Sequence, residues 1–433
     1  MKHAHLILLP MLLLPLLAAA QLQPVELPNY HYIKYKSNHL HYDTNAAPLM
    51  RFFERWRRLA NTGQGTLNIV HIGGSHVQAG TFPNTIRYNL MAAQPRIVGG
   101  RGMIFPYSAA ARCNNPTDYR VHCVEKMILT RNVYRDHTFS LGVCGIAVTA
   151  SDTATEVQMV LTDTRVDYAT NRIVLLGHSN QGIVPRLRVG QRDIFPSYID
   201  AATDRFVFNL SQTTDSFAIL LPCTPGDTFS ITGVELGNRR PGITYHSIGV
   251  NGAAVPDYLR CSHFVRDLRL LHPDLVVFGI GINDADAADF DTAIFRTSYL
   301  QLIDSVRAVN PDCAFIFLTN NDSYRKTGRR RYKVNANGPL ARDVFYRLAR
   351  DTQGAVWDQF EVMGGLKSME HWQKDHLAQT DKVHFTNAGY QLIGNLFTNA
   401  LFEAYNGYVK RQTAAAKSNK NNANDDRYRY ISY

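Results

Sequence analysis

Four short stretches hold residues that could support nucleophilic acyl transfer if they meet. Gly73-Gly74-Ser75-His76 sets a hydroxyl beside two glycines, and Asp381-Lys-Val-His384 places a carboxylate three residues before an imidazole. Between them lie Gly249-Val-Asn-Gly252 and Gly281-Ile-Asn283-Asp284, which offer a small residue and a carboxamide. A serine hydroxyl is a poor nucleophile until a neighbouring imidazole takes its proton, and a carboxylate behind that ring fixes its tautomer. Taken singly, each stretch has a plainer explanation. Ser75 and Gly252 would be turn residues, Asp381 and His384 surface loop residues. Asn283-Asp284 would be a helix cap, which keeps Asp284 out of the reactive set.

The elements that would have to position these residues are legible as hydrophobic runs. Leu67–Ile72 reads as a strand running into Gly73, after a helix over Leu49–Ala60 and before one over Phe82–Ala93. From about 100 to 241 the period turns β-like, with short apolar runs such as Thr155–Leu161, Phe217–Leu221 and Phe229–Leu236. Helical and strand patterns then alternate again, through Ile243–Ile248, Pro256–Leu271, Leu275–Ile280, Asp291–Val309, Ala314–Thr319, Leu340–Arg350, Ala355–Trp357 and Asn387–Ala404. Ser75, Gly252 and Asn283 thus fall just beyond strand ends, where groups converge in an open parallel sheet, and Asp381–His384 falls in the loop before the last helix.

Four such blocks in this order resemble the SGNH (GDSL) hydrolases. The resemblance implies that Ser75 is the nucleophile, His384 the base and Asp381 its orienting acid. It also implies an oxyanion hole of the Ser75 N–H, the Gly252 N–H and the Asn283 side chain, with Gly252 favoured over Gly249. It covers roughly residues 65–99 and 243–405. One departure stands out: Gly74 occupies the position where the family usually has Asp. The Ser-His pair and the large β insertion further resemble the O-acetylpeptidoglycan esterases of Gram-negative bacteria. The fold implied is α/β, a flavodoxin-like three-layer α/β/α domain over 46–99 and 243–405. A β-sandwich or jelly-roll module over 110–240 interrupts it between its first and second strands, and a flexible polar tail over 409–433 follows.

The remaining features bound the function without naming it. The formal charge of +10 is spread thinly, so it gives no nucleic-acid footprint. The Arg325–Lys333 cluster reads as a solvated basic loop, and the glycines around Arg101 as a loop into the insertion. His76 reads as structural or substrate-contacting, His371 and Trp372 as a packed loop. The six cysteines (113, 123, 144, 223, 261 and 313) match no zinc spacing, and their pairing is not readable. Lys2, an apolar run Leu6–Leu17 and Ala18-Ala19-Ala20 form a signal peptide over 1–20, placing the protein in the periplasm or outside the cell. No later segment has the length of a membrane span. No cofactor and no metal are expected. The expected activity is that of an exported serine esterase removing O-acetyl or other short acyl groups from a carbohydrate such as peptidoglycan. Its rivals are an O-acyltransferase on an envelope glycan, and a glycan-binding protein whose SGNH site has decayed.

Overall fold

A computed structural model describes residues 21–136, 139–329 and 331–429; the signal peptide expected over 1–20 lies outside the described residues. Six strands build the main sheet: β1 (Leu40–Tyr42), β2 (Thr66–Gly73), β3 (Gly242–Gly249), β4 (Leu275–Gly279), β5 (Ala314–Leu318) and β6 (Ala355–Trp357). Their spatial order is β1-β6-β5-β4-β2-β3. All neighbours are parallel except β1 with β6. The five parallel strands therefore follow the flavodoxin-like order, whose ligand crevice lies where the order reverses, between β2 and β4.

These strands are apolar without interruption because both faces are covered. On one face Ile69, Val277 and Ile316 pack with Phe52 and Trp56 of α1 (Ala47–Thr62), Ile86 of α2 (Thr81–Ala93) and Phe397 of the closing helix. On the other, Val70, Val276, Phe278, Phe315 and Phe317 pack with Tyr299 of α3 (Thr292–Arg307) and Phe345 of α4 (Asn337–Thr352). The result is the expected three-layer α/β/α arrangement. The carboxylate of Asp291 starts α3 by accepting from the Ala293 and Ile294 N–H groups.

The chain between α2 and β3 forms two antiparallel sheets. One has the order Arg192–Ile194, Arg186–Val189, Ser216–Leu221, Thr155–Leu161, Tyr119–Cys123. The other runs Tyr198–Asp200, Arg205–Asn209, Arg172–Ser179, Thr228–Gly237, Ile146–Ser151, Ile128–Arg131. Val157, Met159, Phe217 and Ile219 of the first share a core with Ile173, Leu175, Phe208 and Phe229 of the second, as in a sandwich. That core does not stop at the sandwich. It runs through Tyr107, Leu141, Tyr258 and Phe264 into the face of the main sheet at Val70 and Phe278. A buried ionic knot also joins the two parts: Asp118 takes the Arg101 guanidinium at 2.5 Å and lies 3.8 Å from that of Arg87 on α2.

Several elements differ from their sequence reading. The β region begins at Gly102–Ile104, which pairs with Val234–Leu236, rather than near 110. Residues 40–42, which precede the first element read from the sequence, form an antiparallel edge strand on β6. The helix expected over Pro256–Leu271 is two, Val255–Leu259 and Phe264–Leu271, because the His263 N–H is drawn to the Leu141 carbonyl in the sandwich. The Arg325–Lys333 stretch is no open loop; Tyr324–Gly328 and Arg331–Val334 form a hairpin, with Arg325 donating to the Ala285 and Ala287 carbonyls. The closing helix α5 (Asn387–Arg429) extends past 404 into the stretch read as a flexible tail. All six cysteines are buried thiols.

Candidate active site

The first half of the site is a tight turn. β2 ends at Gly73, where a β-carbon would run into the Val77 side chain and stand 2.8 Å from the Gly279 carbonyl. The chain can therefore reverse at once into the short helix Ser75–Gln78, whose one turn closes on the Gly74 carbonyl through the Val77 and Gln78 N–H groups. Ser75 stands at the first helical position, so its N–H has no acceptor within the helix and is free to point at a ligand.

The second half arrives with the loop before α5. Ser75 Oγ lies 2.7 Å from His384 Nε2, and His384 Nδ1 lies 2.8 Å from Asp381 Oδ2. The other Asp381 oxygen accepts the backbone N–H groups of Val383 and His384, both at 2.9 Å. Partial burial opposes ionisation of this carboxyl, but the imidazole and the two N–H donors outweigh it and hold its pKa at about 2. The carboxylate is thus a fixed acceptor that leaves His384 Nε2 facing the serine.

Gly252 and Asn283 complete the crevice. The Asn251 N–H is taken by Gln78 Oε1 at 2.7 Å and the Ala253 N–H by the Val250 carbonyl at 3.0 Å. Between them the Gly252 N–H has no partner among the described residues. Gly252 adopts φ +83°, a left-handed conformation that suits glycine, and a β-carbon there would meet nothing within 4 Å. Gly249 is different: its missing β-carbon makes room for the Gln78 N–H and the Gly74 carbonyl, so it is a packing glycine. Asn283 donates one Nδ2 hydrogen to the Ala253 carbonyl at 2.9 Å, leaving the other available. Ser75, Gly252, Asn283 and His384 all line one cleft of about 460 Å³.

Other residues of that cleft were not legible from the sequence. Gln78 is buried and bridges two loops, accepting from Asn251 and donating to the Asn114 carbonyl at 3.4 Å. Asn114 and Asn115 bring the β region directly to the cleft wall, and Gln379 and Tyr390 close the opposite side. No periodicity or motif marks them; only the folded chain brings them there. His76 turns away from the serine, 2.9 Å from the Tyr390 hydroxyl, and burial together with the nearby His384 lowers its pKa to about 3. The ring is therefore neutral. His371 stacks on Tyr32, and Trp372 is buried against Phe385, outside the cleft lining. Asp284 accepts the Val255 N–H with both oxygens, at 3.1 and 3.2 Å, as a helix-capping group would.

Residues 230–392 match the GDSL-like lipase/acylhydrolase family. Over the whole fold the chain is similar to a structure described as a peptidoglycan O-acetylesterase in action, with TM-score 0.69 and 20% identity, covering 85% of this chain and 99% of that one. A family two carbohydrate esterase from Cellvibrio japonicus matches at TM-score 0.28 and 9% identity, over 67% of this chain and 99% of that one. An acetyl xylan esterase matches at TM-score 0.28 and 19% identity, over 36% and 79%. No curated protein is matched by the sequence. Within residues 230–392 the chain is similar to GDSL-like acylhydrolases, and over most of its length it shares the fold of the peptidoglycan O-acetylesterase structure.

Proposed function

We propose that the protein is an exported serine esterase that removes O-acetyl or other short acyl groups from an envelope carbohydrate, with peptidoglycan the leading candidate. The observation that carries this reading is the continuous hydrogen-bonded line from Asp381 through His384 to Ser75, ending in an open cleft beside the free Gly252 N–H and the Asn283 amide. In the forward step Ser75 Oγ attacks the ester carbonyl while His384 Nε2 takes its proton. The developing oxyanion is held by the Ser75 and Gly252 N–H groups and Asn283 Nδ2. Collapse expels the sugar hydroxyl, which recovers its proton from His384, and leaves an acyl-Ser75. Water, deprotonated by the same imidazole, then releases the acid.

The cleft wall supports a sugar substrate. Asn114, Asn115, Asn251 and Gln379 present carboxamides, which can both donate to and accept from hydroxyls. The likeness of fold to a peptidoglycan O-acetylesterase and the leader over 1–20 support an envelope glycan. Among the described residues no helix is long and apolar enough to cross a membrane. A decayed site is hard to reconcile with three groups held within 2.8 Å of one another in sequence along the line. The test is direct: purified protein should hydrolyse an aryl acetate, and Ser75→Ala should lower kcat at least ~10³-fold with an unchanged circular dichroism spectrum. Wild-type turnover in the folded variant would overturn the assignment.

A further inference from the structure

A second cleft lies beside the first, along the seam between the β-sandwich and the α/β layers. It holds about 260 Å³, and among its lining residues are Thr81, Asn84, Thr117, Thr162, Asn387 and Gln391. The same three stretches of chain line both clefts. Ser75, Gln78 and Ala79 lead into Thr81 and Asn84; Asn114 and Asn115 lead into Thr117; and Tyr390 sits between Asn387 and Gln391 on α5. Between them Gly80 packs on Pro116, both buried. A β-carbon on Gly80, which has φ +85°, would come within 2.8 Å of the Pro116 Cα, so the two walls meet there as closely as backbone allows.

The lining of the second cleft is entirely polar, yet its charges are already matched. Asp118 is held by Arg101 and Arg87, and Asp163 by Arg165 at 2.7 Å. What remains in the lining is hydroxyl and carboxamide, which recognise hydroxyl-rich neutral groups. Such a surface without apolar residues is a poor seat for a protein partner or a lipid chain.

We propose that this second cleft binds a neutral sugar unit of the same glycan chain whose ester enters the Ser75 cleft. The proposal rests on the carbohydrate-esterase reading but is separable from it by experiment. Thr117 and Gln391 are exposed and lie outside the catalytic set, so Thr117→Trp and Gln391→Trp fill the cleft without touching the core. Binding of an unacylated tetramer of β-1,4-linked N-acetylglucosamine is measured by calorimetry, and turnover on O-acetylated oligosaccharide and on aryl acetate. The expected result is that the wild type binds the tetramer. Each variant should bind it at least tenfold more weakly and lose at least tenfold in kcat/KM on the oligosaccharide, while aryl acetate turnover stays within twofold. Failure of the wild type to bind the tetramer, unchanged behaviour of both variants, or equal losses on both esters in folded protein would overturn it. Should one variant misfold, the other decides. Tetramer binding that both variants weaken, in a protein that cleaves no ester, would instead overturn the esterase reading and leave the sugar site standing.

Discussion

A β-carbon at Gly74 would stand 3.3 Å from Asn283 Nδ2 and 3.5 Å from the Ala253 carbonyl that now holds that amide. The usual Asp of the resembled family would bring a carboxylate to the same spot, where it would compete for the Asn283 hydrogens. Gly74→Asp should therefore lower kcat on an aryl acetate about 10- to 100-fold with little change in KM, because the amide is needed most when the oxyanion forms. Steady-state kinetics checks it, and an unchanged kcat would show that the Ala253 carbonyl alone fixes Asn283. Asn283→Ala should cost more, ~10²–10³ in kcat, the range for one lost donor. His76 gives a spectroscopic prediction. With its pKa lowered to about 3 by burial and by His384, its ring should stay neutral in NMR titrations down to about pH 4.

At the scale of elements, the loop Gly252–Val255 that follows β3 is clasped by two consecutive side chains from beyond the end of β4, two strands away. Asn283 holds the Ala253 carbonyl, and Asp284 accepts the Val255 N–H. Burial raises the Asp284 pKa from 3.8 to about 7, only partly opposed by that N–H. The folded protein therefore keeps this proton more tightly than the unfolded chain. The contribution is fully present below about pH 4, is lost as pH rises toward about 7, and is flat above, with a ceiling of roughly 4 kcal/mol. Asp284→Asn should flatten the fall in thermal stability between pH 4 and 7; an unchanged slope would place its origin elsewhere. Elements of this kind show what sequence could reveal. Strand-then-turn stretches such as Leu67–Ser75 and Leu275–Asn283 are local grammar, so their carboxyl ends were legible. The break at Arg260–His263 depends on the Leu141 carbonyl, more than a hundred residues earlier, and the edge strand at Leu40–Tyr42 exists only because β6 offers it a free side. Asn114 and Gln78 gained their places in the cleft the same way, through partners that no window of sequence contains.

For the whole molecule, the shared core decides how separable the β region is. Tyr107, Leu141 and Val143 pack into the same apolar body as Tyr258, Phe264 and Phe278, and the Tyr107 hydroxyl donates to the Gly249 carbonyl at 2.8 Å beside the crevice. Excising residues 102–240 should leave a remainder that exposes this surface and aggregates, visible by gel filtration; a soluble, active remainder would mean that the α/β layers close on their own. The Asp118 knot predicts a sharper effect. Asp118→Ala would strand the fully buried Arg101 and Arg87 guanidinium groups, costing about 3–5 kcal/mol in denaturant titrations.

Ser75 and His384 are 309 residues apart in sequence, and the helix that follows His384 is in turn stitched to the start of the described chain. Asn406 bonds both the N–H and the carbonyl of Leu22, and Asn399 does the same for Val25. Contacts of such long range form late, because the intervening chain must be ordered before they stabilise anything. A growing or unfolded chain thus carries its hydroxyl without its base. Competence for acyl chemistry arrives as the final act of folding, and export of the chain in an unfolded state would confine hydrolysis to the far side of the membrane.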